Sequence, residues 1–128
     1  MLAATIHEYG DPSVLRLSEL PTPVPKGAQL LVRVRYAGVN PVDWKIREGY
    51  LKSAFPYAFP LILGWECAGV IDALGEGASR FKRGDAVYSY TRLPTVQHGT
   101  YAEMIVVPET YVAHKPERLL MHEAAGVP

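Results

Sequence analysis

"CAGVIDALGEGASRFKRGDAVYSY", residues 67–90, decides what kind of fold this chain adopts. Residues 67–74 read as a strand, Gly75 and Gly77 as a turn, and 86–90 as a second strand. The competing reading is a phosphate-cradling loop, because "GEGASR" at 75–80 begins glycine-x-glycine. Arg80 stands where the third glycine of that fingerprint belongs, and "FKRGDAVY" leads into a strand. A dinucleotide site needs a helix there, whose N-terminus meets the pyrophosphate. The stretch is therefore a turn between strands, and no phosphate cradle is expected in this chain.

The segments on either side repeat the pattern. "QLLVRVRYAGV" (29–39) is the clearest strand, with Leu31, Val32, Val34 and Tyr36 set against Arg33 and Arg35, which face water. "LAATIHEY" (2–9) and "VLRLSEL" (14–20) read as strands, joined to it by a stiff, proline-spaced connector at 21–27. "PVDWKIREG" (41–49) changes period: Pro41 suits a first helical turn and Gly49 a C-terminal cap. "YLKSAFPYAFP" (50–60) reads as an aromatic loop, then "GTYAEMIVVP" (99–108) and "YVAHKP" (111–116) as two more strands. "ERLLMHEAAGVP" (117–128) turns helical, with Glu117 near its N-terminus and Leu120 and Ala124 on one stripe. Short strands with turn signals every several residues predict a mainly β chain, a closed or partly open barrel with few helices.

The totals exclude several classes. A chain of 128 residues can bury about two-thirds of its unfolded surface, enough for one independent core. Thirteen basic and thirteen acidic side chains cancel, so no global field gathers nucleic acid or an anionic membrane. A single cysteine forms no internal disulfide, and no apolar run is long enough to span a bilayer. The N-terminus lacks the basic and apolar regions of a signal peptide. The expectation is a soluble, cytoplasmic protein.

"LILGWECAGV" (61–70) is the first stretch that could carry chemistry, because Glu66 adjoins Cys67, the only thiol. On an extended chain the two point to opposite faces and do not ligate one metal together. Cys67 reads as a small packed hydrophobe. Among His7, His98, His114 and His122, only His98 falls on a loop that could serve a site. No G-x-S-x-G is present.

The order "GVNPVDWKIREG", "PLILGWECAGVIDALGEGASRFKRGDAVY", "GTYAEMIVVP" and "HEAAGVP" resembles the N-terminal half of the medium-chain dehydrogenase/reductases. Within them it is similar to the zinc-free, zeta-crystallin-like quinone oxidoreductase branch, over essentially the whole chain. The resemblance implies a GroES-like, partly open β-barrel with short helices, lining a substrate cleft. It implies that residues 1–116 form this domain and that 117–128 begin the helix leading to a Rossmann domain absent from this chain.

Zinc-dependent relatives carry a ligand Cys where this chain has Asn40, and a ligand His where it has Trp65. Asparagine is a poor zinc ligand and an indole offers only an N–H, so the resemblance implies no metal. It places Asn40 as a catalytic residue beside the nicotinamide and substrate, with Asp43, Trp44, Tyr50 and Trp65 lining the cleft. Phe55, Tyr57 and Phe59 are offered with Tyr50 as a flat wall for a ring. Glu66 matches the carboxylate beside the metal, and is expected to pair with a cation or backbone donors.

The function implied is NADPH-dependent reduction of quinones or α,β-unsaturated carbonyls by the parent protein, a homodimer in one arrangement, with the isolated piece inactive. Two alternatives stay open: a zinc-dependent alcohol dehydrogenase with unusual ligands, and a stand-alone GroES-like binding or scaffold module.

Overall fold

The computed structural model describes residues 1–128. The chain is mainly β: nine strands form two sheets, with two short α-helices between and after them. The strands are β1 (Leu2–Ile6), β2 (Arg16–Glu19), β3 (Gln29–Ala37), β4 (Tyr57–Ile62), β5 (Glu66–Leu74), β6 (Ala86–Tyr90), β7 (Val96–His98), β8 (Met104–Pro108) and β9 (Val112–His114). The helices are α1 (Pro41–Arg47) and α2 (Met121–Ala124). One sheet runs β2-β1-β4-β7 and the other β8-β3-β5-β6-β9.

Residues 99–103 stitch the two sheets into a partly open barrel. Thr100 and Tyr101 donate their backbone N–H groups to Gly64 and Leu63, and Tyr101 accepts from Ala4. Glu103 donates to Leu2 and accepts from Val34. This one extended segment thus bonds β1, β3 and the entry to β5. The backbone N–H groups of Gly99, Thr100, Tyr101 and Glu103 are all spent closing the barrel.

The core follows from strand alternation. Leu30, Val32, Ile71, Val87, Ile105 and Val107 meet beneath the five-stranded sheet, none more than 1% exposed. Each such side chain contributes about 1.5–3 kcal/mol on burial. Cys67 belongs to this cluster at 0% exposure, as a packed apolar group. A second cluster joins Ile6, Leu61, Leu63 and Val96 to Ile46, which docks α1 on the smaller sheet.

The turn at 75–80 cradles nothing. Gly75 donates its N–H to Gln29 and Gly77 to Gly27, so the turn's glycine donors are already used. A side chain on Gly75 would collide with the Gly27 carbonyl, which explains the glycine by close packing.

Several expectations need correction. The predicted loop at 50–60 becomes strand β4 from Tyr57 onward. Pro60 is tolerated there because the regular pairing with β1 begins only at Leu61. Strand β1 ends at Ile6 rather than residue 9, and β2 starts at Arg16, because Pro12–Val14 forms a 3-10 turn capped by Asp11. Tyr36 is half exposed, not inward, since an irregularity between Val34 and Tyr36 shifts the register against β5. The expected helix over 117–128 shrinks to Met121–Ala124, and the inward stripe is Ala124 and Ala125, packed on Ala68, while Leu120 stays exposed. The carboxylate that caps this turn is Glu123, accepting the Leu120 N–H at 2.8 Å, not Glu117. Strand β7 was not expected; it makes His98 a strand end. No helix is long and apolar enough to cross a membrane.

Candidate functional site

The site forms where β3 ends and β5 begins. These strands are antiparallel neighbours, and Ala37 pairs with Cys67, so the residues just beyond Ala37 lie beside Glu66. Gly38 donates its backbone N–H to the Glu66 carbonyl at 3.1 Å. Asn40 then precedes α1, and its side-chain nitrogen Nδ2 donates to Glu66 Oε1 at 2.7 Å. The amide orientation is fixed by this partner, since only the NH2 end can face a carboxylate.

Glu66 is 7% exposed, and its carboxylate takes this hydrogen bond from Asn40. The expected cation or backbone partner is therefore replaced by a side-chain amide. A buried carboxylate needs such a donor, and the amide in turn is held in one rotamer. Room for the carboxylate comes from Gly38, where any Cβ would overlap it.

Asp43 sits behind this pair. It is 4% exposed, and its oxygens accept the Asn40 N–H at 2.8 Å, the Gly64 N–H at 3.1 Å and the Tyr101 hydroxyl at 2.9 Å. The bond to Asn40 is half of a helix capping box, and it starts α1. The others fasten the entry to β5 and the stitching segment. Burial, followed by the Asp43 hydrogen bond and charge, pushes the Tyr101 phenol well above its ordinary range. Gly64 has φ +98°, and a side chain there would strike Thr100 and Tyr101. These contacts make Asp43 the post that aligns Asn40 with Trp65.

Asn40, Val42, Trp65, Glu66 and Tyr90 line an open hollow of about 360 Å³, bordered also by Gly126, Val127 and Pro128. Trp65 stands edge-to-face between Phe55, at 5.9 Å, and Tyr90, at 6.3 Å. The hollow thus joins one polar corner, Asn40 with Glu66, to aromatic walls. Of the five expected site residues, Asn40 and Trp65 come together here. Asp43 lies buried behind them, and Trp44 and Tyr50 meet edge-to-face at 5.8 Å outside the lining. Phe55 touches Trp65, while Tyr57 and Phe59 pack around Tyr9. His98 lines a different, apolar groove with Leu20 and Met104.

Tyr90 and Gly38 were missed. Tyr90 closes a strand whose aromatic residues look alike in sequence, and nothing local distinguishes it. Gly38 had a signal, the pair "AG" ahead of the asparagine, but its purpose depends on a residue in another strand. As for metal, the hollow presents an amide, an indole, a phenol and one carboxylate, and no three His, Cys, Asp or Glu side chains converge anywhere in the chain.

Comparison with known proteins gives the same answer for sequence and fold. Residues 26–117 match the alcohol dehydrogenase GroES-like domain family. The chain is 38% identical to human quinone oxidoreductase over 130 aligned residues, covering 99% of this chain and 37% of that protein. It superposes with a TM-score of 0.89 on an alcohol dehydrogenase superfamily protein from Novosphingobium aromaticivorans, 37% identical, covering all of this chain and 38% of the other. With the Escherichia coli quinone oxidoreductase, solved in complex with NADPH, the TM-score is 0.88 at 26% identity, again over the whole chain and 37% of its counterpart. This chain therefore spans little more than a third of such relatives, and it belongs to the alcohol dehydrogenase GroES-like domain family of the medium-chain dehydrogenase/reductases.

Proposed function

We propose that this chain is the substrate-side domain of a zinc-independent, NADPH-dependent oxidoreductase that reduces quinones or α,β-unsaturated carbonyls. The observation that carries the reading is the Asn40–Glu66 pair facing Trp65 across the hollow. It stands where zinc-dependent relatives need two metal ligands, and neither Asn40 nor Trp65 suits that task. NADPH, when bound, supplies a hydride. The chain offers that cofactor no phosphate cradle, so its own residues fit the nicotinamide end alone.

Within the hollow, Glu66 takes one N–H of the Asn40 amide and leaves the second without a protein partner. That N–H is a preorganised donor for an oxygen on which negative charge develops. Such help suffices for a carbonyl conjugated through a ring or alkene, where the charge is already spread. Trp65 and Tyr90 give a planar substrate apolar walls. The NADPH complex of the Escherichia coli relative supports the choice of cofactor. A cytoplasmic, homodimeric parent is part of the same proposal.

The test uses the protein encoded by the complete native reading frame that contains this chain. NADPH oxidation is followed with naphthoquinone and with a simple enone, and zinc is measured in the same preparation. Turnover without stoichiometric zinc is expected. Turnover that disappears with chelation, or none on either substrate, overturns the reading.

A further inference from the structure

The hollow has a cationic neighbour that its lining leaves unexplained. Arg92 follows β6 by two residues and lies half-buried. Its guanidinium carbon stands 5.1 Å from the Phe55 ring centre and 5.8 Å from that of Trp65, and those two rings meet edge-to-face. The cation is therefore held by aromatic faces. No ion pair or hydrogen bond reaches it. The other half-buried arginine, Arg47, is bonded to Glu48 and to the Gly10 carbonyl. Arg33 pairs with Asp72, and Arg80 donates to the Glu109 carbonyl. Arg92 alone is partly withdrawn from water with every one of its planar donors unspent.

The residue beside it repeats the theme. Thr91 is 3% exposed, and its hydroxyl has no partner. Its backbone N–H donates to the Trp65 carbonyl at 2.7 Å, which fixes residues 91–92 against the indole. Two consecutive residues anchored beside Trp65 thus carry unspent polar groups, and Trp65 is also a wall of the hollow. The carboxylate next to Trp65 in sequence, Glu66, is already engaged by Asn40.

We propose that Arg92 is a specificity-determining residue that receives an anionic substituent, a carboxylate or sulfonate, on the quinone or enone held against Trp65. The inference rests on the reductase reading above and sharpens its substrate class. Set over these rings with no protein partner, the guanidinium has its N–H fork free to grip a carboxylate or sulfonate with two bonds. A neutral substrate would use the Trp65 wall and leave the fork idle.

The experiment compares naphthoquinone with its sulfonate on the whole protein, for the native enzyme and for Arg92→Met and Arg92→Lys. In Arg92→Met, kcat/KM for the sulfonate is expected to fall roughly 10- to 100-fold, through KM, with the neutral quinone nearly unchanged. Arg92→Lys keeps the charge without the fork and is expected to fall between. In the native enzyme the sulfonate preference should shrink with added salt, a readout that needs no variant. An equal loss on both quinones assigns Arg92 to packing and overturns the proposal. A raised KM for NADPH but not NADH, with the sulfonate-to-neutral ratio unchanged, gives the cation to the cofactor phosphate and also overturns it. If the native enzyme reduces neither quinone, the reductase reading fails separately. Calorimetry with naphthalene sulfonate and naphthalene then decides: salt-sensitive binding of the sulfonate lost in Arg92→Met upholds the anion site, and its absence in the native protein refutes it.

Discussion

Asn40 donates its side-chain amide to the Glu66 carboxylate over 2.7 Å, across 26 residues of chain, because β3 ends where β5 begins. The bond gives each partner what burial or catalysis requires: a donor for the acid, one rotamer for the amide. In the complete enzyme, Asn40→Ala removes the proposed oxyanion donor. It is expected to lower kcat by about 100-fold with a smaller change in KM. Glu66→Ala leaves the donor but frees its rotamer, and about a tenfold loss is expected. Glu66→Gln retains an acceptor for the amide and should recover most of that loss. Steady-state kinetics on the three variants check the order; a Glu66→Ala enzyme as active as the native one removes Glu66 from the scheme.

Gly38 offers an indirect route to the same pair. A methyl group there would overlap the Glu66 carboxylate, whose flexible side chain must then move off Asn40. Gly38 has no positive φ, so the backbone itself accepts alanine. Gly38→Ala is expected to fold and to mimic Glu66→Ala in kcat/KM. The combined variant should lose little more than either alone, because both act through one hydrogen bond. Additive losses would show that Gly38 matters for some other reason.

Much of this arrangement was legible locally. The alternation in β3, the glycine turn between β5 and β6, and the Pro41-to-Gly49 frame of α1 all depend on neighbours within a few residues. Gly49 indeed adopts φ +87° at the end of the helix. What escaped depends on contacts between distant segments. Tyr36 faces outward through a register shift that only the pairing with β5 imposes. The Glu66 partner and the meeting of Asp43 with Tyr101 need the barrel to close, 26 and 58 residues apart. Trp44 and Tyr50 adjoin the site in sequence, and their edge-to-face contact with each other, outside the hollow's lining, depends on the path of the chain after α1.

Asp43 carries a stability prediction distinct from catalysis. Three protein donors converge on this buried carboxylate. Asp43→Ala strands two backbone N–H groups and a hydroxyl, and should destabilise the domain by about 2–4 kcal/mol. Tyr101→Phe removes a single donor and should cost about 1 kcal/mol. Thermal unfolding of the 128-residue domain measures both, with a fall of roughly 10 °C expected for the first. A shift below that of Tyr101→Phe would mean that water replaces Asp43 and that it is no structural post.

Cys67 makes the pH dependence of stability testable. Burial, with a smaller contribution from the Glu66 charge, pushes its thiol up from 9.0 to about 12. Below pH 9.0 the thiol is protonated in folded and unfolded chains alike, and its packing counts in full. Between there and about 12 the unfolded chain releases the proton while the folded chain holds it, so stability falls as pH rises. The slope contributed is about 1.4 kcal/mol per pH unit within that window. Tyr101, raised from 10.0, acts in the same direction, starting higher. Denaturant titrations of the domain at successive alkaline pH values should show this decline, and Cys67→Ala should flatten its first part while leaving the Tyr101 portion. Near neutral pH the native thiol should resist a disulfide reagent until the protein is unfolded. Rapid labelling of the folded domain would mean that the strand around Cys67 opens, and that the core cluster is looser than its burial indicates.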